Sequence, residues 1–168
     1  RRQRQMCIRD RRAADLGKTG YESPEELEND AKLKDRIESI RLQVGRRMNL
    51  DDVSAKTVPK MCLVAPAQYG GAVATRTFIP HRVHQAIGVL GAASVAAACR
   101  IPGSIVYDLV VDKAPGALDV EHPTGRFTVD IEVTDDNGQF GVRRSSLLRT
   151  ARKLMDGNVY VPEGLTAC

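Results

Sequence analysis

Arginine and histidine side chains gather in TRTFIPHRVHQAIGVLGAASVAAAC, residues 75–99, where Arg76, His81, Arg82 and His84 stand within nine positions. Guanidinium and imidazolium groups both donate charge-assisted hydrogen bonds, so this spacing suits the capture of an anion. The residues that follow strengthen the reading, because from 86 to 99 only Ser94 is hydrophilic. If that run is a helix, its first turn presents unpaired backbone N–H groups beside two of the chain's three histidines and an arginine. The ligand expected there is a small carboxylate or phosphate. A plainer reading has His81 and Arg82 cap the start of a core helix, and four such groups so close together favour a site over that alternative.

The apolar run also says where it must lie. A helix with no polar face has to be wrapped by protein or by lipid. About 18 or more apolar residues are needed to span a bilayer, and this run is shorter and begins among charged groups. The pattern therefore predicts a buried central helix over residues 86–99. Gly88, Gly91 and the alanines leave little bulk on it, so a neighbouring backbone or a ligand can approach closely.

The flanking elements fit around such a helix. Ser23-Pro24-Glu25-Glu26 combines an N-cap serine, proline at the first helical position and glutamate at the capping-box position. Leu33, Ile37, Ile40 and Val44 recur at helical spacing, with Asp30 placed to cap a second helix and Gly45 to stop it. Strands are predicted at 61–64 and 72–78, the second running straight into the cationic cluster and setting Arg76 beside the helix opening. After Pro102-Gly103 a strand is predicted over 104–111. A hairpin follows, 118–121 and 126–134 about the His122-Pro123-Thr124-Gly125 corner, with Phe127, Val129, Ile131 and Val133 alternating to one side. A turn at Asp135-Asp136-Asn137-Gly138 leads to further strands at 140–152 and 158–161. This order predicts an α+β fold, a curled, mostly antiparallel sheet around a buried central helix.

Length and charge narrow the function. The 168 residues are the size of one domain and can bury a substantial core. The net charge of +4 is concentrated at the start, since residues 1–12, RRQRQMCIRDRR, carry a net of +5 and the remainder a net of −1. With no Trp and only three Phe and four Tyr, the basic and aromatic surface of a single-strand binder is missing, and nucleic acid is excluded as a partner. The arginine-rich start has neither an initiator Met nor the apolar core of a signal peptide. It reads as a non-native, adapter-like leader that stays disordered and unanchored, or by composition equally as a genuine basic arm. Cys7, Cys62, Cys99 and Cys168 form no CxxC pair and no metal-ligand spacing with histidine, which fits inert thiols in a reducing cytoplasm and no metal site.

Five blocks of the chain then bring a family into view: AADLGKTGYESPEEL, RIESIRLQVGRRMNLDDVSAKTVPKMCLVAPA, GGAVATRTFIPHRVHQAIGVLGAASVAAAC, VEHPTGRFTV and LLRTARKLMDGNVYVP. In this order they resemble the C-terminal half of the PrpF-type isomerases of the 4-oxalomesaconate tautomerase kind, which are related in fold to diaminopimelate epimerase. The resemblance makes residues 13–168 the C-terminal lobe of a two-lobe isomerase. It implies a cofactor-free enzyme that moves a proton along a conjugated tricarboxylate in gallate or protocatechuate breakdown.

The partners implied are a small unsaturated tricarboxylate and the first lobe, with no nucleic acid and no membrane, and a homo-oligomer is left open. The family's acid/base pair, a lysine and a cysteine, belongs to the first lobe, so Lys60 and Cys62 do not inherit those roles and no catalytic residue is expected in this chain. Substrate-binding positions that match are Arg76, His81, Arg82 and His84, with His122 and Thr124 of the HPTG corner. Arg76 is the first choice for a carboxylate clamp because guanidinium offers a bidentate fork. Arg82 pairing with a surface acid and His122 merely shaping its turn remain the alternatives. Relatives often carry a cysteine where this chain has Val83, which leaves this lobe a binding role. An isomerase of methylaconitate, or a non-catalytic anion- or partner-binding module, are the other readings.

Overall fold

The computed structural model describes residues 8–158 and 160. Six strands make one sheet in chain order: β1 (Ile8–Arg12), β2 (Lys60–Ala65), β3 (Val73–Phe78), β4 (Ala117–His122), β5 (Gly125–Asp136) and β6 (Gln139–Leu147). Three of its five pairings are antiparallel, β1 with β2 and β3 with β4 being the parallel ones. The sheet is thus mixed, within the α+β class expected.

Its two faces are covered by different layers. Helix α1 (Pro24–Asn29) starts at Ser23 through a complete capping box, and Asp30 both ends it and caps α2 (Ala31–Arg47) by accepting from the Leu33 N–H at 2.9 Å. Leu27, Leu33 and Ile37 from these helices pack on Met61, Leu63, Ala74 and Phe78. On the other face α3 (Val89–Ala98) sets Ala92, Val95 and Ala96 against Cys62, Val64, Val73, Val120, Phe127, Val129 and Ile131. Alternation along each strand divides these two cores, since successive side chains point to opposite faces.

Several expectations are corrected. Residues 1–12 are not wholly unanchored, because Ile8–Arg12 pair in parallel with β2, Ile8 opposite Lys60 and Arg12 opposite Val64; residues 1–7 lie outside the described set. The apolar helix is shorter than 86–99 and only half wrapped. One side is buried, while Val89, Leu90 and Ser94 are exposed because the sheet covers a single side of it. Gly45 does not stop α2: it lies inside the helix, where a β-carbon would come within 2.5 Å of Val53 Cγ2, so its role is close packing.

Residues 104–111 form no strand. Ser104 Oγ donates to the Ala98 carbonyl at 2.6 Å and accepts from the Tyr107 N–H, starting a short 3-10 turn, Tyr107–Leu109, that drops Val106 and Val110 into the core four positions apart. β6 ends at Leu147 rather than 152. Asn158 and Tyr160 are not in a strand, and the rest of the strand expected over 158–161 lies outside the described residues. Among the described residues no helix is long and apolar enough to cross a membrane.

Candidate functional site

The six candidate residues occupy the rim where β3 and β4 end, but they do not form one cluster. Alternation puts Arg76 on the same face as Ala74 and Phe78, towards α1 and α2, and so on the opposite face from α3. The expectation that Arg76 stands beside the opening of α3 is corrected on that ground. Its Nε donates to the Glu22 carbonyl at 2.6 Å and its Nη1 to the Thr75 carbonyl at 2.9 Å, which fixes the guanidinium at the wall of a cleft. That cleft, about 340 Å³, is lined by Tyr21, Ser23, Tyr69, Arg76, Glu121 and His122 among others. Burial lowers the proton affinity of Arg76 from the usual guanidinium range, and the nearby Glu22 and Tyr69 oppose the shift.

His81 and Arg82 form the tip of a tight turn closed by Ile79 N–H donating to the Arg82 carbonyl at 2.8 Å and by the bridge between Phe78 and Val83. Both face acids of the helical layer. Arg82 Nε lies 3.5 Å from Glu28 Oε1, and His81 Nδ1 lies 4.0 Å from Glu38 Oε2, so Arg82 takes the surface-acid alternative. Glu38 is already held by fully buried Arg41, whose remaining donors reach the carbonyls of Val53, Lys56 and Val58.

His84 leaves that turn in the other direction. Its N–H continues the β3 ladder to the Thr77 carbonyl, and its Nδ1 accepts from the Ala86 N–H at 2.9 Å, which puts the proton of the neutral ring on Nε2. The HPTG corner closes on the same region, with Thr124 Oγ1 donating to the Gln85 carbonyl at 2.9 Å. His122 stands between the two faces. Burial chiefly lowers its pKa, the backbone hydrogen bond with Arg126 opposes the shift, and the nearby Arg76 and Arg149 guanidinium groups push it further down. The start of α3 beside this corner has Gly88 at its N-cap, with no side chain capping it.

Two further residues were missed in the sequence. Glu121 is buried, and its carboxylate accepts from the N–H groups of Gln68, Tyr69 and Gly71 at 2.7–2.8 Å, clamping the loop that forms one wall of the cleft. The signal was in Tyr69-Gly70-Gly71: a β-carbon on Gly71 would fall 2.7 Å from Glu121 Cγ. Arg149, beyond the end of β6, is brought to the corner only by the tertiary fold. Among the described residues, Cys62 and Cys99 take no part, since burial pushes the Cys62 thiol far up and the Cys99 thiol up to about 12, so both stay protonated near neutrality. Among the described residues no group of three or more His, Cys, Asp or Glu is placed to hold a metal ion.

This architecture has a counterpart among known proteins. The family model described as PrpF protein matches residues 10–162. The chain belongs to the PrpF family. It is 57% identical over 152 residues to a (4E)-oxalomesaconate Delta-isomerase of Novosphingobium sp., a match covering 89% of this chain and 42% of that protein. It is 52% identical over 151 residues to a 4-oxalomesaconate tautomerase of Pseudomonas putida, covering 89% and 41% respectively. The chain thus spans about two fifths of the length of these PrpF relatives. A crystal structure of methylitaconate-delta-isomerase shares the fold, with TM-score 0.70 and 19% identity over 84% of this chain and 42% of that one.

Proposed function

We propose that this chain is one lobe of a cofactor-independent isomerase that shifts a proton within 4-oxalomesaconate, and that the lobe's task is to hold the substrate's carboxylates. The observation that carries the reading is an identity above 50% to oxalomesaconate isomerases along almost the whole chain. The rim adds a chemical reason. A base removes a proton from a carbon next to a carbonyl or carboxylate, the electron pair spreads through the conjugated system as an enolate, and an acid returns a proton at the far carbon. Negative charge grows on oxygen in between, where Arg76, His84 and His122 would stabilise it, while Thr124 holds the corner in place through the Gln85 carbonyl. His81 and Arg82, turned towards acids, would steer the polyanion rather than grip it.

The acid and base belong to the remainder of the longer polypeptide in this reading, and Cys62 and Cys99 are too strongly protonated to substitute. Gallate or protocatechuate breakdown in the cytoplasm is the setting the reading implies. The deciding experiment follows the absorbance of conjugated 4-oxalomesaconate with the full polypeptide and with the 168-residue chain alone. Turnover by the first and none by the second is expected. Turnover by the chain alone, or a preference of the full polypeptide for methylaconitate, would overturn the proposal.

A further inference from the structure

Arg149 lies just past β6 and is exposed, yet its position is fixed from two sides. The Leu148 N–H donates to the Thr128 carbonyl at 3.2 Å, carrying the β5–β6 pairing one step beyond β6 and setting Arg149 alongside Phe127. The guanidinium carbon then sits 4.5 Å from the centre of the Phe127 ring. Phe127 is itself buried in the core beneath α3, so the platform under the cation is rigid. A cation attracted to the ring quadrupole keeps its N–H donors for other partners.

Neighbouring arginines have their charge answered. Arg126 pairs with Asp119, Arg143 with Glu132 and Arg144 with Asp130. Arg149 has no carboxylate partner among the described residues, and its field is felt at His122. Phe127 is two positions from Gly125, which pairs with His122, so the platform stands about 7 Å along the strand from the HPTG corner. Arg76 reaches the same corner from the opposite face of the sheet.

We propose that Arg149, stacked on Phe127, is a second carboxylate-binding cation of the site, engaging a carboxylate on the α3 side of the HPTG corner while Arg76 engages another from the far side. The inference rests on the carboxylate-holding role proposed above and deepens it. Two cations reaching the corner from opposite faces of the sheet suit a ligand whose terminal carboxylates are held well apart, a tricarboxylate on a longer carbon backbone over the shorter succinate.

The test uses the full polypeptide and tricarballylate, a saturated tricarboxylate that cannot be isomerised, with succinate for comparison. Arg149→Gln is expected to weaken tricarballylate binding by about 10- to 100-fold in calorimetry and to raise KM for 4-oxalomesaconate alike, with succinate affinity changing much less. Arg149→Lys should recover part of the loss, and Phe127→Leu should reproduce part of it with Arg149 intact. Arg143→Gln, on the paired outer face, should leave tricarballylate binding within two-fold. If Arg149→Gln binds as the parent does while Arg76→Ala does not, the Arg149 assignment is overturned and the carboxylate-holding reading stands. Failure of the parent itself to bind tricarballylate would overturn both.

Discussion

Arg76 illustrates how a single residue is prepared for an anion: two of its donors are spent on backbone carbonyls, so the side chain is already ordered before a ligand arrives. In the full polypeptide Arg76→Ala is expected to lower kcat/KM by the equivalent of about 1.5 to 3 kcal/mol, the range for a hydrogen bond to a charged group. Arg76→Lys should recover only a part, because a point charge cannot reproduce the fork. His122 supplies a pH signature. Its folded pKa lies below the ordinary value of 6.5, mainly through burial. A bound polycarboxylate adds attraction and raises it, so binding takes up protons and affinity rises as pH falls from the raised bound value towards the lowered free one. Calorimetry in two buffers of different ionisation heat measures that uptake, and His122→Asn should abolish most of it. The unliganded fold has the opposite dependence: this group's contribution is held above about 6.5 and lost as pH falls through its lowered folded value.

At the scale of elements, the helical layer is fastened by local chemistry and by one buried side chain. Ser23→Ala removes half of the capping box and should cost about 1 kcal/mol in urea unfolding. Arg41 does more, since it ties α2 to the 53–58 segment through three carbonyls while holding Glu38 with two further bonds. Arg41→Met should cost about 3 kcal/mol, because those buried carbonyls lose their donors. Glu38→Gln should cost less, since the amide oxygen still accepts one of the two Arg41 bonds and the other donors of Arg41 keep their carbonyls. An unfolding midpoint unchanged in Arg41→Met would refute the assignment of this side chain as the clip.

Over the whole molecule, the core beneath α3 is complete on one side only. Val89 and Leu90 on α3, and Phe140, Val142 and Leu147 on β6, leave apolar side chains exposed to solvent. The 168-residue chain should therefore enhance the fluorescence of a hydrophobic dye such as ANS, and Val89→Ser with Leu90→Ser should reduce the signal. The full polypeptide should give less signal per lobe if its remainder covers this side.

The sequence by itself determined the elements whose instructions are local. The capping box at Ser23, the fresh cap at Asp30, the HPTG and Asn137-Gly138 corners, and the alternation of Phe127, Val129 and Ile131 all act within a few residues and appear where they were read. Of the candidate site, the sequence singled out Arg76, His81, Arg82 and His84 by their spacing, and the resemblance added His122 and Thr124. Only the tertiary structure decided which face each occupies. Arg76 is two residues from Phe78 and eight from His84, yet strand parity sends it away from α3, while the turn at residues 79–82 directs His81 and Arg82 to acids on the helices. Glu121 and Arg149 were silent for the same reason: a buried carboxylate finds its N–H partners some 50 residues away, and a cation finds its ring across a strand pairing. Such contacts are fixed by register and packing, which no short stretch of sequence carries alone.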